Sequence, residues 1–301
     1  MAPMDAARVR GIALVVVSAA AFGALGVLAR VAYDDGAQPV AVLLCRFGIA
    51  AVCCTAVLAR SDRVRPSRRT MRGLVLMGGC YLCQSLCYFL AVDHAPPGLV
   101  ALLLYSFPAM VVIGAALFLH QPLTRRLATA CAVALAGVAV VVGPSAGAGE
   151  PVGIAFGLGA AVVYSAYILL GARVLEAADP LWATTVIMST AAIGYVVLFA
   201  VTPHRPAFPT SASGWWAVIA IAVVCTVIAA FAFLAGLARV GPSDASTLST
   251  VEPVVSVLLS AAVTGEAVTG WTALGAVLVL GAVVAISRSA APALAEPAPA
   301  A

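Results

Sequence analysis

Apolar residues gather along this chain in ten blocks of about 20, separated by short polar segments. The blocks lie at about 11–31, 39–59, 73–92, 98–119, 124–143, 152–171, 181–201, 214–236, 243–263 and 268–287. Each has the length a helix needs to cross a hydrocarbon layer. The pattern predicts an all-α integral membrane protein with ten transmembrane helices. Only short loops remain between the spans, so no soluble domain of appreciable size is expected. The first block follows Arg8 and Arg10 as a signal peptide would. It is longer than a signal h-region and nine more blocks follow, so it is read as the first helix.

Two prolines interrupt these blocks at matching places. Pro108 and Pro253 are 253 − 108 = 145 residues apart, and the same offset carries Pro97 onto Pro242 and Thr124 onto Thr269. The chain therefore reads as an internal duplication, 11–143 and 152–287, joined by the small-residue linker 144–151. Five spans per copy is an odd number, which forces the copies into opposite orientations: two inverted five-helix repeats. The Ala/Pro-rich segment 288–301 has almost nothing to bury and is expected to be a disordered cytoplasmic tail. Paired interruptions in duplicated membrane halves point to the binding site of a transporter.

Composition sharpens the class and charge sets the orientation. Hydrophobic residues make up 63% of the 301 and charged residues 9%, with a mean hydropathy of +1.11. No water-soluble core absorbs that much apolar surface. The net charge of +4 does not indicate nucleic acid, because its distribution follows the membrane. All sixteen basic residues are Arg. With the N-terminus inside, thirteen fall on the inner side and two, Arg30 and Arg205, outside, with Arg46 left within a span. That bias is the positive-inside signature and puts both termini in the cytoplasm of a cell that bears this protein in its plasma membrane. The basic loop Arg60–Arg72 either sets topology or also meets anionic headgroups.

Resemblance enters through short motifs in a fixed order. These are Arg46-Phe47 in the second span, Ala95-Pro-Pro-Gly-Leu-Val-Ala-Leu-Leu-Leu-Tyr-Ser-Phe-Pro108 leading into the fourth, and Gly241-Pro-Ser-Asp-Ala-Ser-Thr-Leu-Ser-Thr-Val-Glu252-Pro253 leading into the ninth. Gly265-Glu266 before a Gly/Ala-rich last span completes them. The chain resembles the drug/metabolite transporter superfamily, and within it the EamA-type ten-helix proteins built from two five-helix repeats. The resemblance implies a pocket between the repeats near mid-membrane, alternately open to each side, for an amino acid, another small metabolite or a drug-like compound, commonly moved outward. His120-Gln121-Pro122 departs from the Gly-Glu-Pro usual in the family, which leaves an acidic role there only to Glu266.

Glu252 is the candidate for coupling chemistry. It lies about nine residues into its predicted span, roughly 13 Å deep at 1.5 Å per residue. A carboxylate at that depth faces a cavity or a partner, and burial penalises its charged form, which makes it a candidate proton carrier. Pro253 also frees the carbonyl of Ser249. Ser249, Glu252, Ser256 and Ser260 share one helix face, either a cavity lining or an interhelical hydrogen-bond network. Tyr81, Gln84 and Tyr88 share a face of the third span, with Ser85 beside them. Ser18 and Phe22 from the first span, Tyr105 from the fourth, and Tyr164 and Tyr167 from the sixth complete a candidate aromatic pocket for a small amphipathic ligand. Arg46 either snorkels to the outer interface, pairs with an acidic group as scaffold, or offers its fork to a carboxylate; the scaffold role is favoured. Trp182, Trp215 and Trp216 begin their spans as an interfacial belt.

Other chemistries find little support. The cysteines Cys45, Cys53, Cys54, Cys80, Cys83, Cys87, Cys131 and Cys225 fall inside spans, and the Cys80/Cys83 pair lacks a second dyad or nearby His, so apolar packing is expected rather than disulfides or metal. No HExxH helix and no nucleophile with a partnered His is present, so neither enzyme activity nor a cofactor is expected. A multi-pass receptor or assembly protein that transports nothing is the alternative, since its binding pocket would look alike.

Overall fold

Among the described residues, seven helices are long and apolar enough to cross a membrane: Val9–Asp34, Pro39–Leu58, Arg68–His94, Pro97–Phe118, Pro151–Gly171, Leu181–Val201 and Ala212–Phe233. Three shorter apolar helices, Ala128–Gly137, Val251–Val263 and Gly270–Ala282, fall in the remaining predicted blocks. The computed structural model describes residues 6–118, 124–145, 150–174, 178–203, 205–240, 248–249, 251–265 and 267–289. All regular structure among them is helical. The first span comprises α1 (Ala6–Gly23) and α2 (Leu25–Asp34); α3 (Pro39–Leu58) and α4 (Arg68–His94) are the second and third. The fourth is split into α5 (Pro97–Leu104) and α6 (Phe107–Phe118), followed by α7 (Arg125–Ser145), α8 (Pro151–Val174) and α9 (Pro180–Val201). The eighth comprises α10 (Ala212–Ala222), a π-helical turn (Val223–Ile228) and α11 (Ala229–Val240). The ninth and tenth are α12 (Val251–Thr264) and α13 (Gly270–Ser289).

Local chemistry explains where these helices begin. Pro39, Pro97 and Pro180 occupy first turns, where a missing N–H costs nothing. Ser67, Asp179 and Ser211 cap α4, α9 and α10 with side-chain oxygens that accept backbone N–H groups. The cap at Ser67 lets α4 run five residues beyond its predicted apolar block, because hydropathy marks only the part of a helix that lies in lipid. Gly265, at φ +70°, follows α12 in the left-handed conformation that glycine adopts without steric cost.

The spans pack as pairs. The second lies on the seventh (α3 on α9), the fourth on the ninth (α5 on α12), and the fifth on the tenth (α7 on α13). The third lies on the sixth (α4 on α8), and the eighth on the first (α11 on α1, α10 on α2). Exchanging every span with the one five places further on maps the first three pairings onto themselves and the third–sixth pairing onto the eighth–first. Small residues permit the approach: a Cβ added to Gly137 on α7 would lie 2.9 Å from Leu278 Cβ and 3.0 Å from Gly275 O on α13. The interior is anchored by Tyr195, Phe47 and Phe89, while Val52, Leu117, Val197 and Trp216 stand exposed on the flanks. In a membrane those apolar flanks face lipid, so little drives them inward.

Loops tie the ends of the bundle. On one side Asp35 accepts hydrogen bonds from Ser211 N (2.9 Å) and Thr210 Oγ1 (3.3 Å), and Gln38 N donates to Ala207 O (2.9 Å). The Ser211 N–H, aimed at an exposed carboxylate, holds Asp35 below its ordinary pKa. On the other side Arg63 pairs with Asp179 at 2.8 Å, and Trp182 Nε1 donates to Arg63 O at 3.3 Å.

Candidate functional site at the paired helix breaks

Pro108 and Pro253 begin helices. The fourth span breaks at Tyr105-Ser106, and Pro108 is the second residue of α6; Pro253 is the third residue of α12. A proline disfavours helical geometry in the residue before it and lacks a donor, so the chain turns ahead of it and restarts with it in the first turn. Residues 241–247 and 250, which precede α12, lie outside the described residues, as do His120, Gln121, Pro122 and Glu266 and the predicted tail beyond 289.

The break of the fourth span meets the start of α12. Tyr105 Oη lies 2.9 Å from Ser249 O and 2.9 Å from Glu252 Oε2, contacts that span 144 and 147 residues of sequence. Ser249 O is the carbonyl whose helical donor Pro253 lacks. It accepts the Glu252 N–H (3.0 Å) and the tyrosine hydroxyl instead. A tyrosine hydroxyl has one proton, and a carbonyl can only accept. Both contacts are satisfied together when Glu252 carries a proton and donates it to Tyr105 Oη, which in turn donates to Ser249. Once Glu252 is ionised, the carboxylate and the carbonyl compete for the single hydroxyl proton. Gly23 makes room here, since a Cβ at that position would lie 2.6 Å from Glu252 O.

From this junction an aromatic chain runs through the interior. Tyr105 contacts Phe107 (ring centroids 5.7 Å), Phe107 meets Tyr164 edge-on (4.8 Å), and Tyr164 stacks on Tyr167 (5.8 Å). Tyr167 lies against Tyr81 (5.6 Å), and Tyr81 meets Phe47 edge-on (5.6 Å). The chain ends at Arg46, which is 3% exposed. Its Nε donates to Thr226 Oγ1 at 2.9 Å and its Nη2 to Tyr81 Oη at 3.4 Å. Its guanidinium carbon lies 4.9 Å from the Phe47 ring centroid and 5.5 Å from that of Phe89. The snorkelling alternative is thereby set aside: the side chain turns inward, where aromatic faces and hydroxyls solvate it better than the apolar flank would. Among the described residues no carboxylate pairs with it.

Of the residues singled out in the sequence, the structure brings together Tyr81, Tyr105, Tyr164, Tyr167, Ser249 and Glu252. Tyr88 is buried, with its hydroxyl beside Gly26. Gln84 is buried and accepts from Ser85 Oγ at 3.3 Å. Ser256 and Ser260 are buried on α12, and Ser256 Oγ has no hydrogen-bond partner among the described residues. Phe22 is half-buried without a ring contact among those described. Ser18 Oγ donates to Ala229 O at 2.7 Å and so ties α1 to α11. Phe107, Phe89, Thr226 and Tyr195 went unnoticed in sequence. Phe and Thr inside apolar blocks look like packing, and only contact with Arg46 or the tyrosines distinguishes them. The π-helical turn was equally silent; in it Thr226 Oγ1 donates to Ile221 O five residues back, at 2.9 Å.

Comparison with known proteins agrees with this architecture. A solved crystal structure aligns with a TM-score of 0.65 at 21% identity, covering 91% of this chain and 95% of the other, which establishes a common fold. The uncharacterized transporter YyaM of Bacillus subtilis (strain 168) is 24% identical over 247 residues, 78% of this chain and 80% of that protein. The profile of the EamA-like transporter family matches residues 9–143 and again 151–288, so this chain is a multi-pass membrane protein that belongs to the EamA-like transporter family.

Proposed function

We propose that the protein is a plasma-membrane exporter of a small amphipathic metabolite, such as an amino acid or a drug-like compound, working by alternating access of two inverted five-helix repeats and coupled to protons at Glu252. The observation that carries this reading is the junction of the two helix breaks, where Tyr105 of one half meets Glu252 and Ser249 of the other at 2.9 Å. The span pairings, which are unchanged on exchanging the halves, favour two repeats moving against each other. Both termini are assigned to the cytoplasm from the Arg bias, and the outward direction follows the resemblance.

In this mechanism Phe22, Tyr81, Gln84, Tyr88, Tyr105, Tyr164 and Tyr167 line the substrate pocket, with Ser249, Glu252 and Ser256 on its α12 face. Pro108 and Pro253 keep the breaks open beside it, and Arg46 holds the wall. Protonated Glu252 closes the hydrogen-bond chain to Ser249; loss of the proton leaves Tyr105 contested and loosens the junction. The test is flux in proteoliposomes across a pH gradient. Glu252→Gln, which keeps the shape and cannot ionise, is expected to abolish the pH dependence of transport, and Tyr105→Phe to slow it at every pH. A Gln variant that reaches the membrane and keeps the wild-type pH profile excludes proton coupling through this residue. Binding without flux in the wild-type protein would favour the receptor alternative.

A further inference from the structure

A cavity lies apart from the Tyr105–Glu252 junction, among α3, α9 and the π-helical eighth span. It has a volume of about 170 Å³ and is walled by apolar side chains, Met188, Val227 and Phe231 among them. Arg63 and Asp179 line it and pair with each other at 2.8 Å. Thr226, which also lines it, accepts from Arg46 Nε at 2.9 Å. On the Arg-based topology every lining residue belongs to the cytoplasmic half of its span or to a cytoplasmic loop. The cavity thus runs from a charged mouth at the inner surface to the wall that holds Arg46.

Its chemistry is specific. The mouth offers one guanidinium and one carboxylate, and the interior offers apolar surface. The Arg63 side chain is 58% exposed and so is held weakly by the pair and can turn towards a ligand, while Asp179, 21% exposed, stays fixed as the cap of α9 and presents Oδ2. A zwitterion with an aliphatic tail complements all three elements: its carboxylate meets Arg63 in a charge-assisted fork, its ammonium meets Asp179, and its tail enters the cavity. The size fits, since an apolar cavity of about 150 Å³ holds a benzene-sized ligand. The floor is a π-helical turn, a local irregularity frequent at functional sites.

We infer that this cavity is a cytoplasmic binding site for a zwitterionic, amino-acid-like molecule, held by Arg63 and Asp179 and separate from the central junction. The inference rests on the exporter reading for its role, as the place where substrate is first captured, but its test does not depend on transport. Ala230, which lines the cavity, is replaced by cysteine in a full-length chain whose eight native cysteines are serine, and the rate of alkylation by N-ethylmaleimide is measured in detergent. Leucine is the probe, with leucinol and 4-methylpentanoate as analogues that each lack one charge.

Leucine is expected to slow alkylation, and each analogue to require a concentration at least about tenfold higher, as for loss of one charge-assisted hydrogen bond. The double variant Arg63→Gln/Asp179→Asn, which leaves neither charge alone, is expected to lose the protection while keeping its melting temperature. Should that variant fail to fold, the ranking of the three compounds on the parent chain decides the matter. Absence of protection by leucine, equal protection by all three compounds, or protection undiminished in a folded double variant would each overturn the site. Leucine flux in proteoliposomes without protection would remove the site and leave the exporter reading standing.

Discussion

Tyr105 illustrates how much one hydroxyl can decide. It replaces the helical donor that Pro253 removes from Ser249 and reaches the nearest carboxylate in the same gesture. Arg46 shows the complementary case of a charge kept inside by aromatic faces and two hydroxyls. Arg46→Lys keeps the charge but loses the planar fork that stacks on Phe47 while bonding Thr226. About 1–2 kcal/mol of stability should be lost with it, read as a lower melting temperature in detergent. Asp35 yields a pH prediction of opposite character. Hydrogen bonds from Ser211 and Thr210 lower its pKa in the folded protein. Its contribution is therefore fully present above the unfolded value of about 3.9 and is lost as pH falls through the folded one. Asp35→Asn should remove that dependence, so the gap between wild-type and variant melting temperatures narrows in acid. A gap independent of pH would show that the carboxylate charge contributes nothing there.

At the scale of elements, the helix breaks matter because they leave backbone groups that side chains from the other half must satisfy. Tyr105 does so for Ser249 O, while Ser165 Oγ, which donates to Ala161 O of its own helix at 2.7 Å, also lies 3.2 Å from Phe107 O just past the break of the fourth span. Replacing Pro253 with Ala restores an N–H four residues after Ser249, which then competes with Tyr105 for that carbonyl. A more regular helix, a higher melting temperature and slower flux are expected, and Pro108→Ala should act in the same direction. If both variants transport at the wild-type rate, the breaks are incidental to the cycle. The π-helical turn is a further irregularity, and its Thr226 both accepts from Arg46 Nε and lines the cavity beside Arg63 and Asp179.

Across the whole molecule, orientation is the property with the sharpest test. The thirteen-to-two Arg bias underlies the proposal that the Arg60–Arg72 loop is cytoplasmic. Inversion of the repeats then places residue 67 inside and residue 145 outside. Cysteines introduced at Ser67 and Ser145, in a chain lacking other reactive thiols, should be labelled by an impermeant reagent from opposite faces. Labelling of both from one face would end the inverted-repeat proposal. The inner ion pair Arg63–Asp179 and the outer cluster around Asp35 and Ser211 then mark the two ends of the bundle.

Fold class was legible in sequence because span length and apolar composition are local properties: a block of about 20 apolar residues commits to a helix in lipid whatever surrounds it. The prolines at a constant offset, the Arg bias and the carboxylate beside Pro253 were legible for the same reason. Each is a one-dimensional signal that carries its own energetic cost. Which side chains meet was not. With apolar residues on nearly every face, nothing in the pattern says which flank of α8 turns its tyrosines inward, or that Arg46 points to Thr226, 180 residues away. Lipid is as apolar as the protein interior, so the hydrophobic effect sorts spans into the membrane without ordering them against one another. That choice falls to close packing and to hydrogen bonds between distant residues, and only the tertiary structure could join Tyr105 to Glu252 and open a cavity behind Arg63 and Asp179.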